Sequence, residues 1–142
     1  MTRKTLTAED FPIAENCPDL IKGARGKSLD EITLDAIVSG DVTMEDLRIT
    51  ADALLQQAEV ARSVHRTSLA QNFERASEMT RLPQSVVMEV YELLRPGRAS
   101  EKQTLLDVAS RMRDEFQAGE LASFIEEAAD VYDRRGLFVS RY

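Results

Sequence analysis

His65 and Cys17 are the only histidine and the only cysteine in 142 residues. Chemistry by either side chain needs neighbours. Zinc sites of the common kinds take several nitrogen or sulfur ligands, and a thiolate nucleophile takes an adjacent base. His65 stands four residues after Ala61, near the end of an apolar stripe, and is expected to be a structural or surface histidine. Cys17 lies in an irregular segment with no histidine beside it in sequence.

Carboxylates are plentiful, but their spacing is that of solvated helix faces. Glu74 and Glu78 form one close like-charge pair, with Arg75 and Arg81 at hand to neutralise it. Glu126, Glu127 and Asp130 could be read as part of a two-metal cluster, yet the Glu-x-x-His companions of helical di-iron sites are missing from the sequence. Gly23 and Gly26 precede Lys27 at the wrong spacing for a phosphate-cradling loop. The expectation is therefore no catalytic, cofactor-binding or metal-ligating residue on this chain.

The elements that would position these side chains are helical. Thr50 reads as an N-cap, followed at helical spacing by Leu54, Leu55, Ala58 and Ala61. Leu69, Phe73, Ala76 and Met79 or Thr80 make the next stripe. Pro83 suits the first turn of a third helix, with Val87, Val90, Tyr91 and Leu94 on one face and Val86 and Leu93 off it. Apolar over more than half its circumference, that helix is expected to be central or doubly covered. Arg95, Pro96 and Gly97 stop it. Ser100 with Gln103 reads as a capping box opening a helix with Leu105, Val108, Ala109, Met112 and Phe116 on one side. Its far side carries Asp107–Arg111 and Arg111–Glu115 pairs. Gly119 breaks the run. A last helix carries Leu121, Ile125, Ala128 and Tyr132, with an Asp130–Arg134 pair, and ends at Gly136. No alternating strand pattern recurs. The fold class is all-α: an open helical bundle with an extended N-terminal arm and short helical turns.

The stretch "SLDEITLDAIVSGDVTMEDLRIT", residues 28–50, holds three helix starts in succession. Ser28, Thr33 and Thr43 each have an acid two or three positions on, and Gly40 can close one piece. None of these pieces is long enough to be stable alone in water. Residues 1–27 show neither helical nor strand period. Their composition admits a mobile tail, but Phe11, Ile13, Leu20 and Ile21 are more apolar anchors than a tail needs. The organisation expected is an arm over 1–27 and a helical body over 28–142, a single domain overall.

A net charge of −7 repels nucleic acid and anionic membrane surfaces, and no basic block overrides it. One cysteine admits no internal disulfide and suits a reducing cytosol. No run of eighteen apolar residues is present, and "MTRKTLTAEDF" lacks the apolar segment of a secretory signal. The chain is expected to be cytoplasmic.

Arginines and aromatics embedded in apolar segments suit buried protein contacts: Phe73 with Arg75, Tyr91 with Arg95, Phe124 with Tyr132. Core packing with arginine stems lying across it is the alternative.

These segments together resemble the small (gamma) subunit of the adenosylcobalamin-dependent diol and glycerol dehydratases. The resemblance runs from "DFPIA" (residues 10–14) almost to the C-terminus, through "GKSLDEITLDAIVSGDVTMEDLRIT", "LAQNFERASEMTRLP", "VYELLRP" and "FIEEAADVYDRR". "DLRIT" and "NFERA" are its most specific pieces. The sequence departs from the family at Gly97, where an aromatic is usual, and in a loop between Pro96 and Leu105 one residue longer than usual. The short arm is that of the glycerol dehydratase branch.

The resemblance implies a complex of two copies each of a large, a medium and a small subunit. A large-subunit TIM barrel holds the diol and a metal ion, and cobalamin lies between the large and medium subunits. There a 1,2-diol becomes an aldehyde and water by radical chemistry that the cofactor carries. The complex is cytoplasmic, in some members inside a bacterial microcompartment. The small subunit contributes no catalytic residue, and its segment 28–50 would be stable against the large subunit. Suspected interface residues are Phe11, Asp46, Arg48, Phe73, Arg75, Tyr91 and Arg95, with no nucleic acid or membrane partner. A reading from another class is a free-standing helical adaptor or regulatory module derived from such a subunit. The arm over 10–50 favours the first, because a free bundle would not need it.

Overall fold

The computed structural model describes residues 3–139. Among them the chain is all-α, as expected, with one isolated antiparallel bridge between Lys22 and Ser28. It divides into two compact units, Met1–Thr80 and Arg81–Tyr142.

The first unit begins with the arm, which is no free tail. Leu6 and Ile13 are buried. A 3₁₀ turn, Ala8–Asp10, packs on helix α4 (Ala51–Ser63). Glu59 of α4 receives the Arg3 guanidinium (2.7 Å) and the Leu6 amide (2.8 Å), and Ser63 Oγ accepts the Ala8 amide (2.9 Å). Short turns follow: α1 (Ile13–Asn16), 3₁₀ turns Pro18–Leu20 and Leu29–Glu31, α2 (Leu34–Ser39) and α3 (Met44–Leu47). Thr50 caps α4 as expected, its Oγ1 accepting the Ala53 amide at 3.1 Å.

Helix α4 pairs with α5 (Thr67–Met79) as a helical hairpin. Its reversal places His65 in the left-handed region, φ +60. Ala58, Ala61 and Ala70 meet at the contact, with Leu69 and Phe73 packed against them. Small side chains there let the two helices approach closely. Arg62 closes the hairpin onto Glu74 with bonds of 2.7 to 3.0 Å.

The second unit holds α6 (Gln84–Leu93), α7 (Lys102–Phe116) and α8 (Gly119–Arg134). Helices α7 and α8 form a second hairpin. Leu105, Val108, Ala109 and Met112 face inward from one, and Leu121, Ala122, Ile125 and Ala129 from the other. Arg113 crosses to Glu126 at 2.7 Å, and Lys102 to Asp130 at 2.7 Å. Lys102 thereby takes the carboxylate that the sequence pairs with Arg134.

Three local expectations are corrected. Helix α6 buries Val86 and Val90 and leaves Tyr91 and Met88 exposed, so it is neither central nor doubly covered. Its inner face runs through 82, 86 and 90, rotated about the helix axis from the stripe expected, so Val86 is buried and Tyr91 is not. Helix α7 starts after Glu101 rather than from a Ser100–Gln103 box, and Gln103 donates to Asp107 instead (2.7 Å). The break before α8 is made by Gln117 at φ +49, while Gly119 is the first residue of α8. Gly97, at φ +84, holds a conformation that would strain the aromatic usual there.

Candidate subunit-docking site

Residues 28–50 fold into consecutive turns because each start supplies its own cap. The Ser28 amide donates to Glu31 Oε2 (2.7 Å) and the Thr43 amide to Asp46 Oδ2 (2.9 Å), the reciprocal arm of a capping box. Thr33 Oγ1 accepts the Ala36 amide at 3.2 Å, and Gly40 ends α2 at φ +82. Val42 then turns in, buried, its amide on Ala36 O (2.9 Å).

A second loop clamps these turns from the arm side. The Gly23 amide donates to Lys27 O and the Gly26 amide to Gly23 O, each at 2.9 Å. Arg25 straddles the Asp46 carboxylate with both Nε (2.9 Å) and Nη2, and also donates to Asp41 O (2.6 Å). Such a planar fork suits a carboxylate. The Asp46 side chain has no solvent exposure. The Arg25 guanidinium, and then the Thr43 amide, hold its carboxyl down at about 2. Lys27 pairs with Asp41 at 2.9 Å.

What this scaffold displays is apolar. Leu34 (75% exposed), Val38 (79%), Met44 (72%) and Ile49 (62%) stand in solvent, together with Leu29, Ile37 and Leu47. Leu34 and Val38 share a face of α2 by their i, i+4 spacing. Single exposed apolar residues are ordinary, and seven of them within residues 29–49 are a concentration.

The suspected interface residues separate on the structure. Asp46 turns inward and serves the fold of its own loop. Arg48, two positions on, turns outward, its side chain 71% exposed and paired with Glu45 at 3.2 Å. Phe11 and Tyr91 are exposed. Phe73 is half-buried in the α4–α5 contact, and Arg75, also half-buried, donates to Asn72 Oδ1 at 3.0 Å. Arg95 pairs with Glu92 at 3.2 Å. Leu34, Val38 and Met44 lie in the stretch 28–50 expected to rest on a partner, but sequence did not single them out, because turns this short give no period from which to read an exposed face.

The residues weighed for chemistry are scattered. His65 is exposed at a helix reversal, and Cys17 Sγ lies 3.9 Å from Asp10 Oδ1. Glu74 is taken by Arg62, Glu126 by Arg113, Asp130 by Lys102. Among the described residues no three or more His, Cys, Asp or Glu side chains are grouped to hold a metal ion. Two grooves of the first unit have volumes of about 160 and 390 Å³.

The family profile described as "Dehydratase small subunit" matches residues 6–138. This chain belongs to that family. It is 40% identical over 134 residues to the propanediol dehydratase small subunit of Salmonella typhimurium, covering 94% of this chain and 77% of that one. It is 41% identical over 131 residues to the propanediol dehydratase small subunit of Citrobacter freundii, covering 92% of this chain and 76% of the relative. The family match takes in both helical hairpins and the whole of the turn-rich stretch.

Proposed function

We propose that this chain is the non-catalytic small subunit of an adenosylcobalamin-dependent diol or glycerol dehydratase, a hydro-lyase that turns a 1,2-diol or glycerol into the corresponding aldehyde and water. Its task in that complex is to stabilise the large catalytic subunit. The single observation that carries the reading is near-full-length similarity to two propanediol dehydratase small subunits. The exposed apolar side chains between Leu29 and Ile49 support it, since they suit a chain that works in contact with another.

The proposal assigns diol, metal ion and cobalamin to partner chains. The carboxylates weighed above support it: Glu74, Glu126 and Asp130 are spent on ion pairs with Arg62, Arg113 and Lys102. The partners proposed are a large and a medium subunit, two copies of each of the three chains, with no nucleic acid or membrane. No helix among the described residues is long and apolar enough to cross a membrane. The proposed location is the cytoplasm, inside or outside a microcompartment.

Reconstitution tests the reading. Large and medium dehydratase subunits from the same organism are expressed with and without this chain, and aldehyde formation from propane-1,2-diol and from glycerol is followed with added adenosylcobalamin. Activity that requires this chain is expected. Full activity without it, and no co-purification, would favour the free-standing module.

A further inference from the structure

The larger groove of the first unit, about 390 Å³, lies between the arm and α4. Asp52, Leu55, Gln56 and Glu59 form one side of it, at the i, i+3, i+4 and i+7 spacing of a single helix face. Asp19 and Leu20 face them from the 3₁₀ turn Pro18–Leu20. Gln56 is the anomaly there. It is 7% exposed, and among the described residues only Asp46 and Ser77 are polar and as deeply buried. Those two are satisfied, Asp46 by Arg25 (2.9 Å) and Ser77 by donating to Glu74 O (2.6 Å). The Gln56 side-chain amide has no hydrogen-bond partner among the described residues. A buried amide without a partner is costly, so this groove calls for a group that bonds it.

The charges around the groove say which group. Arg3 and Glu59 are spent on each other at 2.7 Å. Asp19 and Asp52, exposed at the rim, form no ion pair among the described residues. Lys22, also exposed at the rim, sets one positive charge against those two negative ones. An anion would meet a net negative balance here. An ammonium group has three N–H donors and no acceptor, and the groove offers it three acceptors: two carboxylates and the Gln56 carbonyl. Leu20 and Leu55 give an alkyl stem an apolar wall to lie on.

We propose that this groove binds a primary alkylammonium group, its nitrogen on Gln56 Oε1 between Asp19 and Asp52 and its stem against Leu20 and Leu55. The group belongs to a small free amine or to a lysine side chain presented by a protein. The inference does not depend on the small-subunit reading.

The test follows the Gln56 side-chain amide resonances of the full chain by NMR at neutral pH and fixed ionic strength. The titrants are n-butylamine, Nα-acetyl-lysine N-methylamide and butan-1-ol. Saturable shifts are expected with both ammonium compounds and none with butan-1-ol. Asp19→Asn and Asp52→Asn should each weaken binding about threefold, the worth of an exposed ion pair. Gln56→Met should weaken it about tenfold or more, yet melt at or above the wild-type temperature, because it removes an amide that the fold leaves without a partner. The lysine derivative binding more tightly than n-butylamine assigns the groove to a protein's lysine, and binding no more tightly assigns it to a free amine. Equal shifts with butan-1-ol overturn the proposal, since charge would then select nothing. The absence of any saturable shift overturns it too and leaves a solvent molecule on Gln56. A Gln56→Met protein that melts several degrees below wild type would show the amide satisfied within the fold, and would overturn the proposal at its premise.

Discussion

Gly23→Ala should loosen the clamp beneath residues 41–50 although it adds one methyl group. A Cβ at Gly23 would stand 2.9 Å from the carbonyl oxygen of Asp46, 3.5 Å from its Cα and 3.6 Å from its carbonyl carbon. Favourable heavy-atom separations are about 3.5–4.0 Å, so one strand of backbone must retreat by about half an ångström. Neither side yields cheaply. Gly23 is tied to Lys27 and Gly26 by backbone hydrogen bonds, and Asp46 is held by Arg25 and by the Thr43 amide. Overpacking of a well-filled site costs about 1–3 kcal/mol, and we expect a loss of about 2 kcal/mol by that measure. Gly23 is not left-handed, so the effect is steric. Gly26 is the control: at φ +82 an added Cβ meets nothing within 4 Å, so Gly26→Ala costs about 1–2 kcal/mol of backbone strain. Gly26→Asn should recover part of that loss, and Gly23→Asn should recover none. Urea unfolding gives the stabilities, and amide exchange at Thr43 and Asp46 shows where the loosening lies. A Gly23→Ala protein within about 0.5 kcal/mol of wild type, with both amides exchanging as before, would refute the close approach.

Four other outcomes are expected. Leu105→Ala, at a fully buried side chain of the α7–α8 hairpin, should destabilise the second unit by about 2–5 kcal/mol in urea unfolding. His65→Gly should leave stability equal or raise it by up to about 1 kcal/mol, since φ +60 costs a β-carbon that much. Neither His65→Ala nor Cys17→Ala should change turnover of the assembled dehydratase, and a hundredfold loss of kcat with assembly intact would reveal missed chemistry. Asp46, held at about 2 against 3.8 normally, contributes stability that is full above pH 4 and lost as pH falls through 2. Amide exchange at Thr43, corrected for intrinsic rates, should therefore accelerate between pH 4 and pH 2, and Arg25→Ala should move that acceleration upward in pH.

Much of the local structure was legible because its causes are local. Thr33, Thr43 and Thr50 cap where their hydroxyls and following acids said they would, and Gly40 and Gly136 end their helices. The inward faces of α7 and α8 follow the 3.6-residue period. What escaped depends on residues far apart in sequence. Nothing at Arg25 announces Asp46 twenty-one positions on, nor does Glu59 announce Leu6. Asp46 and Arg48 were both expected at the interface, but positions two apart on a helical turn do not share a face. One therefore closes the fold while the other meets solvent. Helix α6 misled because Val86, Val87, Val90, Tyr91, Leu93 and Leu94 leave its inward direction undetermined by period alone.

The account stands or falls on whether residues 29–49 are covered in the assembled enzyme. Hydrogen exchange with peptide-level mass spectrometry, on this chain alone and in complex with the large dehydratase subunit, answers that directly. The account predicts strong added protection in peptides spanning residues 29–49, with the α7–α8 hairpin peptides unchanged. A stable complex in which residues 29–49 exchange as fast as in the free chain, with protection gained elsewhere, would contradict it.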